Sequence, residues 1–188
     1  MKSRLKITFN APVTIAFVFI CFIVTFLGVS SGGAITRAYF MVYRGPWNSP
    51  FTYLRLFTHV LGHSGWDHFI GNAAYILLLG PLIEERHGSR KVIYVILVTA
   101  LVTGLVNILF FPTTALCGAS GVVFAFIIIT SLTGFRKGEI PLTFILVAVI
   151  FLGQQILDGV LIKDNISNIS HIVGGIIGAI VGYRLNRR

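Results

Sequence analysis

The chain has 188 residues, 55% of them apolar and only 11% charged, with a formal net charge of +9 and a mean hydropathy of +0.88. A water-soluble domain carries about 25% charged residues, so there are too few polar groups here to cover a globular surface. A soluble fold and a disordered chain are both excluded. The basic residues stand in short clusters between long apolar runs, which argues against nucleic acid and for a topology signal with attraction to anionic lipid headgroups.

In chain order the apolar runs predict six spanning helices, at about Pro12–Val29, Phe69–Ile83, Val92–Phe111, Leu116–Leu132, Ile140–Leu157 and Ile169–Tyr183. Runs of this length without strict alternation read as helix, not strand. The fold class expected is an all-α membrane protein, a single polytopic domain over residues 1–188. Lys2, Arg4 and Lys6 before the first run resemble a signal peptide, but the run is longer than a signal core of about 7–15 residues. It is read as a retained span.

Orientation follows from charge. The N-terminus, the loops at Glu84–Lys91 and Gly134–Glu139, and the C-terminus carry eleven of the fifteen Lys and Arg residues; the other side carries Arg37, Arg44, Arg55 and Lys163. Both termini are expected to be cytoplasmic, in a prokaryotic plasma membrane. The long connection Ser30–Asp67, with Trp47, Phe51, Tyr53, Leu54, Leu56 and Phe57 among Pro and Gly, is expected to hold short amphipathic helices in the outer interface. Cys21 and Cys117 form no framework.

Polar groups inside a membrane are costly and mark function by default. His68 and Asn72 open the second span, Gly118-Ala119-Ser120-Gly121 the fourth, and His171 the sixth. In the topology above these three spans run the same way, so the four polar side chains reach one level near the outer surface. His68 and Asn72 share a helix face. Ser120 sits in a first turn, where free N–H groups and the dipole favour a developing anion. Gly118 and Gly121 permit close approach. Gly174, Gly178 and Gly182 let the sixth helix pack tightly, and if its partner is the fourth, His171 meets Ser120.

The chemistry this suggests is nucleophilic acyl transfer. Ser120 needs a base, and His171 is the candidate. His68, Asn72 and the Ser120 N–H are candidate oxyanion donors. Taken singly, Gly-x-Ser-Gly is weak, a lone histidine is more often a packing hydrogen bond, and the glycine stripe is more often packing alone. Their shared depth carries the argument. His59, His63 and His68 have a spacing a metal could use, but only Asp67 offers an acidic partner, so no metal and no cofactor are expected. No third member of a triad is evident among Asp67, Asp158 and Asp164. His59 and His63 read as loop packing. The Asn-x-Ser pairs at Asn165 and Asn168 read as helix capping.

These residues resemble the rhomboid family of intramembrane serine proteases, over about residues 50–183. The resemblance rests on His68 and Asn72, on Gly118 to Gly121, and on His171, Gly174 and Gly178. It is extended by Arg55-Leu56-Phe57-Thr58-His59 in the outer loop and by Glu84-Glu85-Arg86. It implies a six-helix bundle with an outward cavity and an interfacial loop between helices 1 and 2. Ser120 would be the nucleophile and His171 the base, with His68 and Asn72 in the oxyanion hole and transmembrane proteins as substrates. Asp158–Ser167 would cap the cavity. Phe124 stands where the family often has Tyr, and Leu54-Arg55 where it usually has Trp-Arg. The alternative is a rhomboid-fold binder of unstable transmembrane helices that does not cut them. A small transporter would show inverted repeats, and none is visible.

Overall fold

The computed structural model describes residues 8–132, 139–161 and 165–186; the side chains at 151–152, 154–161 and 165–168 are outside that description. Eight helices follow one another: α1 (Pro12–Ser30), α2 (Ala34–Tyr39), α3 (Pro50–Thr58), α4 (Trp66–His87), α5 (Ser89–Phe110), α6 (Ser120–Ser131), α7 (Leu142–Leu161) and α8 (Asn165–Asn186). An isolated antiparallel bridge joins Val42 and Leu116.

The helices are apolar on their outer faces. In α1 the buried positions are Thr14, Phe17, Cys21, Val24, Thr25 and Gly28, one stripe of helical period. Phe19 and Phe26 point outward, 60% and 53% exposed. Such a surface fits hydrocarbon, not water. By length and composition α1, α5 and the Ile169–Asn186 part of α8 can cross a membrane. The protein is an integral membrane protein.

At the centre lies α6. Seven of its twelve residues are buried and the other five are half-buried, none exposed, so other helices surround it. Its neighbours are α8, α4, α5 and α7. It is about 18 Å long, roughly half the length of the 22-residue helices α4 and α5. The expected fourth span began at Leu116; the helix instead starts at Ser120. Residues 116–119 are not helical because Leu116 exchanges backbone hydrogen bonds of 2.9 Å with Val42, and Gly118 adopts φ +124°.

Two polar contacts set the helix positions. The Glu84 carboxylate accepts from the Val13 and Thr14 backbone N–H groups at 2.9 Å and from Thr14 Oγ1 at 2.8 Å. It also accepts from Ser89 Oγ at 2.7 Å. An acid of α4 thus caps α1, which has no acidic residue in its own first turn. Nearby, a Cβ on Gly80 would come within 2.5 Å of Thr14 Cγ2, so glycine is what lets α1 approach α4.

The connection Ser30–Asp67 holds two short helices, α2 and α3. In α3 the buried residues are Thr52, Arg55 and Leu56, while Phe51, Tyr53, Leu54 and Phe57 are exposed. Of the Asp158–Ser167 segment, α7 continues to Leu161 and α8 starts at Asn165, so most of it is helix end; residues 162–164 lie outside the described residues. Asn165 through Ser170 belong to the first turns of α8 and do not precede it.

Candidate active site

A cavity of about 640 Å³ is lined by His68, Asn72, Cys117, Ser120, Phe124 and His171, with Met41, Ser64, Asp67 and Tyr75 among the remaining walls. Each residue arrives by a separate local cause. Trp66 opens α4, so His68 and Asn72 project from its first two turns on one face. Ala119 is the residue before α6, which puts Ser120 at the first helical position with its N–H free of intrahelical bonding.

His171 is brought level with Ser120 by the packing of α8 on α6. A Cβ on Gly174 would lie 2.2 Å from the Gly121 carbonyl oxygen, one on Gly178 2.6 Å from that of Ala125, and one on Gly182 3.2 Å from Ile129 Cα. The two backbones touch along three successive turns, which only small residues allow. Ser170 O also reaches to 3.5 Å of the Cβ position at Gly121. This register sets residues 170–174 beside residues 120–121. The Phe124 ring stacks on His171, centroids 4.3 Å apart and planes 6° apart.

On the other wall, Gly118 meets α4. A side chain at Gly118 would put its Cβ 2.7 Å from His68 Cε1 and Nε2 and 3.7 Å from Asn72 Nδ2. The positive φ and the missing side chain let both polar groups close on the loop before Ser120. Asn72 is buried, and among the described residues its Nδ2 has no hydrogen-bond partner. Leaving such a donor unmatched costs about 1–3 kcal/mol. Ser64 Oγ lies 3.1 Å from His68 Nδ1. A neutral ring that accepts the Ser64 proton at Nδ1 carries its own proton on Nε2, the atom against Gly118.

The loop carrying Gly118 is fastened from outside the cavity. Gly118 N–H donates to the His59 carbonyl at 2.9 Å. Asn107 Nδ2 donates to the Val42 and Thr114 carbonyls at 3.3 and 3.1 Å. His59 is fully buried between Arg55 O, 3.1 Å from Nδ1, and Thr103 Oγ1, 3.2 Å from Nε2. Burial pushes its imidazole down to about 4. His63 is also pushed down to about 4, by burial first and then by neighbouring His68. His59 and His63 are packing residues of the α3–α4 connection and do not line the cavity. Arg55, which follows Leu54 and not Trp, is buried: its Nη1 donates to Tyr43 Oη at 2.6 Å and its guanidinium sits 4.1 Å over the Tyr43 ring.

Five side chains singled out from sequence, Ser120, His171, His68, Asn72 and Phe124, therefore share one cavity, and Gly118, Gly121, Gly174 and Gly178 make the close approaches around it. Sequence reasoning passed over Ser64 and Tyr75. Tyr75 lies seven residues after His68 and three after Asn72, a helical stripe that identifies the same face. Ser64 stands in a loop, where no period applies.

A family model described as the Rhomboid domain matches residues 50–188. The chain is 30% identical over 156 residues to Rhomboid-related protein 2 of Mus musculus, covering 72% of this chain and 51% of that protein. The chain thus spans about half the length of this curated relative.

Proposed function

The chain belongs to the rhomboid family, and on that premise we propose that it is an intramembrane serine endopeptidase that cuts transmembrane proteins in or near their spans. The proposed architecture is one polytopic domain of six spans, formed by α1, α4, α5, α6, α7 and α8, with α2 and α3 in the outer interface. Charge distribution supports cytoplasmic termini; the proposed location is a prokaryotic plasma membrane.

In this reading His171 takes the Ser120 hydroxyl proton as Oγ attacks the scissile carbonyl carbon. The carbonyl oxygen becomes an anion, met by Asn72 Nδ2–H, His68 Nε2–H and the Ser120 backbone N–H. Protonated His171 then gives its proton to the departing amine, leaving an acyl ester on Ser120. Water, deprotonated by His171, hydrolyses that ester and restores the hydroxyl. A dyad suffices for this sequence, and no metal or cofactor enters it.

The observation that carries the proposal is the unmatched Asn72 Nδ2 in the cavity that also holds Ser120 and His171. A buried donor without a partner is costly in a resting protein and useful where an oxyanion forms. The test is cleavage of a transmembrane substrate in proteoliposomes by wild type and Ser120→Ala. Product from wild type alone is expected; equal product ends the proposal.

The second reading, a helix-binding protein without cleavage, is favoured by Phe124, which cannot offer the hydroxyl of the family's Tyr. A fluorophosphonate that labels wild type but not Ser120→Ala excludes it.

A further inference from the structure

At the end of the bundle opposite the cavity of Ser120, about 20 Å further along α4, a second cavity of about 490 Å³ opens where α4, α5 and α8 meet. Its walls include Arg86, His87, Lys91 and Arg184, and among the described residues none that lines it is acidic. Glu84, close by in the chain, is turned toward α1 and committed to Val13, Thr14 and Ser89. His87 Nε2 is buried with no hydrogen-bond partner among the described residues.

This basic cavity continues into an apolar one. A groove of about 380 Å³ runs between α5 and α8, lined by Val98, Val102 and Val106 on one helix and Val173, Ile176 and Ile180 on the other. Tyr94, Val181 and Arg184 belong to both spaces. A site for free phosphate needs only the first; a cluster of cations joined end-on to a hydrocarbon-lined groove matches an amphiphile.

We infer that this composite cleft is a binding site for one anionic glycerophospholipid, its phosphate among Lys91, Arg184 and His87 and one acyl chain along the α5–α8 groove. Basic pockets between membrane helices bind anionic headgroups in this manner. The groove runs along α8 toward the turn that carries His171, so the bound chain braces that helix from its outer side, opposite the face packed on α6.

The test is native mass spectrometry of the purified full chain, titrated with phosphatidylglycerol, with phosphatidylcholine of matched acyl chains, and with inorganic phosphate. Phosphatidylglycerol should bind more tightly than phosphatidylcholine, and millimolar phosphate should not displace it. Each cation near a headgroup contributes roughly fivefold, so Lys91→Gln with Arg184→Gln should weaken phosphatidylglycerol about thirtyfold and leave phosphatidylcholine unchanged. Both residues are exposed, so the fold is retained. Arg90→Gln, exposed and outside the cleft, should change nothing. Val102→Trp, which obstructs the groove, should weaken both lipids. Equal binding of the two lipids, an intact double variant, displacement by phosphate, or an Arg90→Gln effect equal to that of Lys91→Gln would each overturn the inference.

Discussion

The Phe124 ring lies parallel to the His171 imidazole, 4.3 Å away between centroids. Phe124 is one helical turn beyond Ser120 on α6, so the helix that carries the proposed nucleophile also fixes the plane of the proposed base. A stacked pair of this kind contributes about 0.5–1.5 kcal/mol. Phe124→Ala should therefore lower kcat roughly three- to tenfold with little change in KM, and Phe124→Tyr should match or exceed wild type. Steady-state cleavage in proteoliposomes gives both constants. An unchanged kcat in Phe124→Ala would show that the ring does not orient His171.

Asn72 allows a sharper separation of stability from function. If Nδ2 is an oxyanion donor, Asn72→Ala should reduce kcat by about 10²–10³. The same change removes a buried donor that has no partner, so the unfolding midpoint should hold or rise. Joint loss of activity and stability would instead make Asn72 a structural residue. Single-turnover cleavage and reversible unfolding in mixed micelles measure the two effects on one preparation.

The positions of Ser120, His171, His68 and Asn72 were legible in the sequence because each begins an apolar run, and helical period then decides which residues share a face. The glycine stripe at Gly174, Gly178 and Gly182 was legible for the same reason. What escaped was set by partners far away in the chain. Glu84 caps α1 across seventy residues, and no local pattern announces that. The start of α6 at Ser120 depends on Val42 pairing with Leu116, which local hydrophobicity reads as four more residues of helix. Arg55 counts as an outer-side charge in the sequence, yet it is buried against Tyr43, because a planar guanidinium can satisfy itself on a ring and a hydroxyl together.

The contact between α8 and α6 predicts opposite outcomes at adjacent glycines. A Cβ on Gly174 meets the Gly121 carbonyl oxygen at 2.2 Å, and backbone cannot yield as a side chain can. Gly174→Ala should push α8 outward, costing about 1–3 kcal/mol, and should lower kcat by moving His171. At Gly175 the nearest atom among the described residues is Ile128 Cγ1 at 3.9 Å, so Gly175→Ala should be tolerated, or stabilise through better helix propensity. Equal behaviour of the two variants in thermal unfolding and cleavage would contradict the close α6–α8 contact.

Acid should loosen the α3–α4 connection before it affects the bundle. His59 and His63 are held down to about 4 in the folded protein, mainly by burial, against an ordinary value near 6.5. Above pH 6.5 neither folded nor unfolded chain binds a proton at these rings, so they leave stability unchanged there. Between 6.5 and 4 the unfolded chain takes up protons that the folded chain refuses, and stability falls as pH falls, by about 1 kcal/mol per pH unit for each histidine. Because His59 O holds Gly118 N–H, the loop before Ser120 should open with it, and cleavage should decline in the same window. His63→Gln, which removes one of these proton acceptors, should make the fall of stability with falling pH shallower. Unfolding free energies from pH 7.5 to 4.5 in mixed micelles check this; a flat profile in wild type would mean that the two rings are not buried as neutral imidazoles.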